Sequence, residues 1–315
     1  MIDFQDRFAR CVGLFSDARD KFGSRLSLFG FAADSNGERA NHIFQGNDRY
    51  ADLRSVSKVV VGLVLGVLLS RKTELGDIPL GLGGRVLPLL GHHMSGTARH
   101  HWRDVRIVDL LNNTIGHDEG FLFRKDLGDL PESDYLAYIF DAAIPHPPGA
   151  HFSYSNVGPF LFSVIVQDWL GKSLHDVAQA AILEPLEIES QWRCFGEYSA
   201  GGTGLSMRNG DLIKLACLLR DGGVFRGRAI VAKSWVDEMV FPRSLTPSMF
   251  DSAQVFPRYA YGIGLWICEN GSYYCDGTGG QYLIVVPDRK VALSAMGEQP
   301  DMEPITQCMT PLTAC

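Results

Sequence analysis

The sequence predicts an α+β fold: an antiparallel sheet flanked by helices, built from both ends of the chain, with a mainly helical domain inserted between the two halves. Three observations carry this. Strand-like runs punctuated by turn residues occur near the start, over 26–44, and return near the end, over 261–295. Between them the apolar residues fall into helical patterns separated by long loops. The 315 residues are 46% apolar and 21% charged, which suffices for one large domain or two interlocked ones. The expected division is 1–50 with 195–315 as the sheet domain and 51–194 as the helical domain, with a site between them.

Taken in order, residues 3–22 place Phe4, Phe8, Cys11, Val12 and Phe15 at helical spacing, predicting an opening amphipathic helix. Leu26 to Phe31 reads as a strand, Asp34-Ser35-Asn36-Gly37 as a turn and Ala40 to Phe44 as the returning strand. Val59 to Leu69 is strongly apolar, too short to cross a bilayer and bounded by Lys58 and Arg71-Lys72, so it reads as a buried helix. Helical patterns follow at 104–111, 134–140, 159–170 and 173–182. Tyr261 to Ile267, Tyr282 to Val286 and Val291 to Ala295 read as strands, with Pro287-Asp288-Arg289-Lys290 turning between the last two. The final residues carry a faint closing-helix pattern.

A net charge of −7 without a basic patch argues against a nucleic-acid partner, and no membrane segment is expected. The start, Met1 to Phe8, carries acidic residues and no apolar leader run. Seven cysteines (11, 194, 217, 268, 275, 308 and 315) are scattered without a C-x-x-C. Both features point to a cytoplasmic protein with reduced thiols.

Three short motifs carry chemistry. Ser55-Val56-Ser57-Lys58 is an S-x-x-K; three residues apart on a helix, the amine and the hydroxyl share a face. A buried lysine can be neutral near pH 7 and take the serine proton. Alone, this motif occurs about once by chance in a chain of this length. Tyr154-Ser155-Asn156 offers a phenol to pass a proton to a leaving group, and an amide to bond both the lysine and a substrate carbonyl. Alone, it reads equally as a core tyrosine with an asparagine helix cap. Asp276-Gly277-Thr278-Gly279-Gly280-Gln281 leads into a strand, and a backbone amide there, that of Gly280, would pair with that of Ser55 as an oxyanion hole. The plain alternative is a hairpin turn.

In this order the motifs resemble the S-x-x-K, Y-x-N and K-T-G set of the penicillin-recognising enzymes. The surrounding residues resemble the class C β-lactamase branch, with its family VIII esterases and nylon-oligomer hydrolases. Leu53 to Lys58 resembles the nucleophile box, and Phe152 to Gly158 the tyrosine box. Pro185-Leu186 resembles a Pro-Leu-Gly turn with Glu187 in the glycine place, and Gly202 to Leu212 a glycine-rich lead into the next helix. The likeness spans roughly residues 25–297. It implies the β-lactamase/transpeptidase-like fold, with Ser55 as nucleophile, Lys58 and Tyr154 as proton carriers, and Asn156, Thr278 and Gly280 around the substrate. It implies no cofactor.

Two departures matter. Matching Thr278-Gly279 to T-G puts Gly277 at the lysine position, with Asp276 before it, and this disfavours a substrate carboxylate. Asp276 would instead bind a substrate amino group, or merely cap the turn. Leu111 to His117 departs from the corresponding loop, and His117 maps to no catalytic role. The expectation is a hydrolase of small-molecule esters or amides. An acyltransferase passing the acyl group to an amine or alcohol is the close second, and a silent binding scaffold the third. His92-His93 and His100-His101 read as solvated loop rather than a metal site, because carboxylate and cysteine company is poor in the sequence around them. Gly81 to Gly84 lacks the strand and helix of a dinucleotide site. Ser57 points off the shared face, and Cys275 reads as a buried small residue.

Overall fold

A computed structural model describes residues 3–71, 78, 80–128, 130–246 and 254–313. Lys72 and Cys315 lie outside them. The α+β architecture read from the sequence is the one observed. The first helix, α1 (Phe4–Asp17), is capped by Asp3, whose carboxylate accepts from the Asp6 amide, and buries Phe8, Cys11 and Phe15. It stops at Asp17, short of residue 22, because Ala18 is extended and the chain turns back through a bridge between Arg19 and Arg25.

Strands β1 (Leu28–Ser35) and β2 (Glu38–Ile43) form the N-terminal hairpin. Its two-residue turn is Asn36-Gly37, both in the left-handed region at φ 53° and 88°, the twist that matches a tight hairpin. The late strands are β3 (Ser244–Leu245), β4 (Arg258–Tyr261), β5 (Trp266–Cys268), β6 (Tyr273–Gly277), β7 (Gln281–Val286) and β8 (Val291–Gly297). The eight-stranded order is β3-β4-β5-β6-β7-β8-β1-β2. Strand β8 runs antiparallel to β1, with Ser35 opposite Val291 and Phe31 opposite Ala295, so the two ends of the chain meet inside one sheet, between its sixth and seventh strands.

One sheet face buries Phe31, Tyr274, Tyr282 and Ile284 under α1 and the closing helices α9 (Glu303–Cys308) and α10 (Thr310–Thr313). The other face carries Ala32, Cys275, Leu283 and Val285 and joins the larger core. Helix α7 (Asn209–Arg220) crosses it and is tied down by Arg220, whose guanidinium donates to the buried Asp34 carboxylate of β1. Burial alone would raise the Asp34 carboxyl, but the hydrogen bond and charge of Arg220 hold it below its ordinary value.

The long apolar helices are α2 (Ser57–Ser70) and α5 (Val157–Leu170), buried almost all round, as their lack of a polar face dictates. Shorter helices fill the region between and after them: α3 (Ile107–Leu111), α4 (Tyr135–Asp141), α6 (Leu174–Ala178) and α8 (Lys233–Met239). No helix among the described residues is long and apolar enough to cross a membrane.

The run from Tyr261 to Ile267 is not one strand. Gly262-Ile263-Gly264 turns the chain between β4 and β5. Gly264 has φ 74°, and a Cβ there would lie 2.6 Å from the carbonyl oxygen of Lys58, so this turn is pressed against the start of α2. Glu187, in the glycine place of its turn, does adopt the left-handed conformation, with φ 56°.

Candidate active site

Ser55 sits in a 3-10 turn, Arg54–Val56, that runs into α2. The turn is entered through Arg54, which is left-handed at φ 51° although it is not glycine. Asp52 holds it there, accepting from the Arg54 amide at 2.8 Å and pairing with its guanidinium at 3.2 Å. Such a conformation costs on the order of 1–3 kcal/mol and persists only where the surroundings impose it. Residues three apart share a face where this turn runs into α2, so Lys58 comes under Ser55, and its Nζ donates to Ser55 Oγ at 3.1 Å.

Lys58 is 2% exposed and has two further acceptors, Asn156 Oδ1 at 2.6 Å and the Gly202 carbonyl at 3.1 Å. Asn156 precedes α5, yet its side chain does not cap that helix. Its Nδ2 donates instead to the Leu122 carbonyl at 3.0 Å, which turns Oδ1 toward the lysine. Burial pulls the amine down to about 7, against the opposing Asp276 charge. A neutral amine has two N–H donors and one lone pair. Asn156 Oδ1 and the Gly202 carbonyl only accept, so they take the two N–H groups and the lone pair is left facing Ser55 Oγ. Loss of one proton therefore makes Lys58 a base aimed at the serine.

The Tyr154 ring lies 4.7 Å from Lys58 Nζ. It stacks on Trp266 at 5.3 Å and meets Tyr261 edge-on at 5.8 Å. Burial, reinforced by the Asp276 charge, pushes the phenol well above its ordinary value, and a hydrogen bond with Ser55 opposes the shift only in part. Tyr154 is thus a neutral O–H donor near pH 7, and Lys58 is the group that can be deprotonated.

The third motif is the hairpin between β6 and β7, with Gly277 opposite Gln281. Gly277 abuts the nucleophile turn: a Cβ there would stand 2.5 Å from the Leu53 carbonyl oxygen and 2.8 Å from Arg54 Cβ. No side chain, lysine least of all, fits at that point. The strand's alternation turns Cys275 to the same face as Gly277, where it is buried, and burial pushes its thiol well above the ordinary value. Asp276 points to the other face, inside the strand opposite Tyr282 rather than capping the turn. Its Oδ1 accepts from Trp266 Nε1 at 2.8 Å, and the Arg258 guanidinium lies 4.1 Å over that indole. Burial raises the Asp276 carboxyl, with Arg258 and Trp266 pulling the other way.

The Gly280 expectation needs correction. Its amide closes the turn on the Gly277 carbonyl at 3.1 Å, and the residue faces Ile305 and Gln299 instead of Ser55. The amides of Ser55 and Thr278, by contrast, donate to no protein group among the described residues. Ser57 is fully buried, its Oγ donating to the Arg54 carbonyl at 2.6 Å and accepting from the Leu205 amide at 3.2 Å, which makes it a strut of the turn. His117 is packed against Phe121 and Trp102, and burial lowers its imidazole to about 4.

Residues 28–305 match the beta-lactamase family model. The chain belongs to the beta-lactamase family. This family member shares its fold with a putative beta-lactamase from Bacteroides dorei DSM 17855, at 16% identity and a TM-score of 0.76, over 100% of both chains. It is also similar to EstCE1, a hydrolase with promiscuous acyltransferase activity, at 16% identity and a TM-score of 0.75, over 98% and 99% of the two chains. A putative 6-aminohexanoate-dimer hydrolase from Bacillus anthracis matches at 17% identity and a TM-score of 0.71, over 95% of this chain and 84% of that one. These are hydrolase-type proteins.

Within this beta-lactamase-family fold, Ser55, Lys58, Tyr154 and Asn156 are brought together from positions almost 100 residues apart. Sequence reading did not single out Trp266, Tyr261 or the backbone carbonyl of Gly202 as parts of this cluster. The first two were hidden in a run read as one strand, and a carbonyl acceptor leaves no signature in residue type.

Proposed function

We propose that the chain is a serine acyl-transfer enzyme that hydrolyses a small ester or amide through an acyl-enzyme on Ser55. The supporting observation is the buried Lys58 whose other two partners are acceptors only, since this arrangement aims its lone pair at Ser55 Oγ. In this reading Lys58 takes the Ser55 proton as Oγ adds to the carbonyl. The Ser55 and Thr278 amides hold the oxyanion, with Thr278 taking the place first expected of Gly280. Tyr154 protonates the leaving group, and the phenolate so formed, costly in a buried site, is neutralised by the proton on Lys58. Water then repeats the sequence on the acyl-enzyme.

A β-lactam substrate is disfavoured, because its carboxylate would meet no lysine at Gly277. The second reading, transfer to an amine, draws on Asp276. This residue borders a cavity of about 300 Å³ with Phe256, Arg258, Tyr274, Tyr282 and Glu303, where an ammonium would meet two carboxylates and one guanidinium. Turnover of an activated ester with and without added amines separates the readings. Hydrolysis unchanged by amines supports the first, amide product supports the second, and no turnover in either arm refutes both. Asp276→Asn leaving the KM of an aminated substrate unchanged would remove the amine role.

A further inference from the structure

His92 and His93 end a 3-10 turn, Gly91–His93, on the surface of the helical region. The chain brings them a carboxylate from the C-terminal end of α5. His92 Nε2 lies 3.1 Å and His93 Nε2 2.8 Å from the same atom, Asp168 Oδ2. All three ligand atoms fall within 4.8 Å of one another. Sequence reading found poor carboxylate company for these histidines because the aspartate is 75 residues away.

Three features go beyond a surface ion pair. Adjacent side chains usually diverge, yet these imidazoles lie side by side, with centroids 4.1 Å apart and both Nε2 atoms aimed at one point. The second carboxylate oxygen, Oδ1, accepts from the Tyr198 hydroxyl at 3.3 Å, which orients Asp168 and leaves Oδ2 for another partner. The frame is also fixed: Trp169, next to Asp168, donates through Nε1 to the Leu89 carbonyl at 3.0 Å, tying α5 to the segment that carries the histidines. With metal–ligand bonds of roughly 2.0–2.2 Å, neighbouring ligand atoms around an ion sit about 3 Å apart, close to the two Nε2–Oδ2 separations here.

We propose that His92, His93 and Asp168 bind one divalent transition-metal ion of the Zn²⁺ or Ni²⁺ class, with its remaining positions open to water. Two imidazoles and one carboxylate suit such ions and not Mg²⁺ or Ca²⁺, which take oxygen ligands. Asp168 is twelve residues along the helix from Asn156, about 18 Å at helical rise, so the ion clamps the far end of α5 and takes no part in the chemistry at Ser55.

The test is calorimetric titration of NiCl2 into the tag-free, chelator-stripped full chain under a thiol reductant. The expected result is one equivalent bound, at least tenfold weaker binding in His93→Ala and in Asp168→Asn, and no change in His146→Ala, a surface histidine beside Asp118. MgCl2 should give no saturable binding. At a hundredfold excess of Ni²⁺ over Kd the melting temperature should rise by about 4 °C. Asp168→Asn keeps the shape of the side chain, and its melting temperature in chelator should equal that of the parent. Absence of saturable Ni²⁺ binding, full retention of it in both site variants, or an equal loss in His146→Ala overturns the proposal.

Discussion

Asn156→Asp perturbs the amine–amide pair on which the proton-transfer argument turns. The substitution leaves an oxygen where Oδ1 now stands, 2.6 Å from Lys58 Nζ, but gives it a charge. At an effective dielectric constant near 20, a unit charge at that distance favours the ammonium by about 6 kcal/mol. Half of that would lift the lysine by about two pH units from its present value of about 7. The neutral fraction at pH 7 would fall from about one half to about 1%, so acylation should slow about fiftyfold. The assay is the stopped-flow burst of p-nitrophenol from an activated ester between pH 5.5 and 10. The parent should rise about tenfold from pH 6 to pH 8 and then level off. The variant should be slow at pH 7 and recover as pH rises past 9. A parent inflection near 10, or a variant with the parental profile and rate, would refute the neutral-lysine argument.

Four further outcomes follow from the same geometry. The folded Lys58 value lies below its unfolded value of 10.5, so the unfolded chain binds more protons between about pH 7 and pH 10.5. Stability relative to Lys58→Met should therefore grow with pH across that window, by about 2 kcal/mol from pH 7 to pH 9 in urea unfolding. Tyr154→Phe should slow acylation more with a poor leaving group than with p-nitrophenol, giving a steeper dependence of rate on leaving-group pKa; equal losses for both would contradict the acid role. Gly277→Ala places a methyl against Leu53 and Arg54. It should lower stability by about 1–3 kcal/mol and displace the Ser55 turn, seen as a lower melting temperature with slower acylation. Asp34→Ala removes one partner of the buried Arg220 guanidinium and leaves it only the Asp221 pair; it should cost about 1.5–3 kcal/mol in urea unfolding while activity per folded molecule stays unchanged.

What was legible in the sequence is what depends on short-range rules. Ser55 and Lys58 meet through a three-residue spacing that any helical turn brings to one face. The N-terminal hairpin follows from Asn36-Gly37, which supplies the left-handed pair its turn requires. That the same sheet is completed from the other end of the chain could be read from where the strand patterns lie. The errors arise where tertiary contacts decide. Gly262 and Gly264 sit among β-forming residues, and the close approach of their turn to α2 has no local signal. Which face of β6 meets the nucleophile depends on its pairing with β7. Matching Gly277 to a lysine position therefore gave no hint that the site has no room for a side chain there. Gly280 was an oxyanion candidate by composition, but a hydrogen bond across three residues uses its amide. The turn-capping alternative for Asp276 fails because the residue lies inside β6, and its bond to the indole of Trp266, ten residues earlier, had no local signal.

Acylation of Ser55 Oγ is the central event, and intact-protein mass spectrometry reads it directly. Mixed with an excess of p-nitrophenyl ester at pH 8 and quenched in acid within the burst, the chain should gain the mass of one acyl group, with fragmentation placing it on Ser55. Ser55→Ala should gain none. An adduct of the same stoichiometry on Ser55→Ala, or label placed on Ser57 or Cys275 in the parent, would contradict the account.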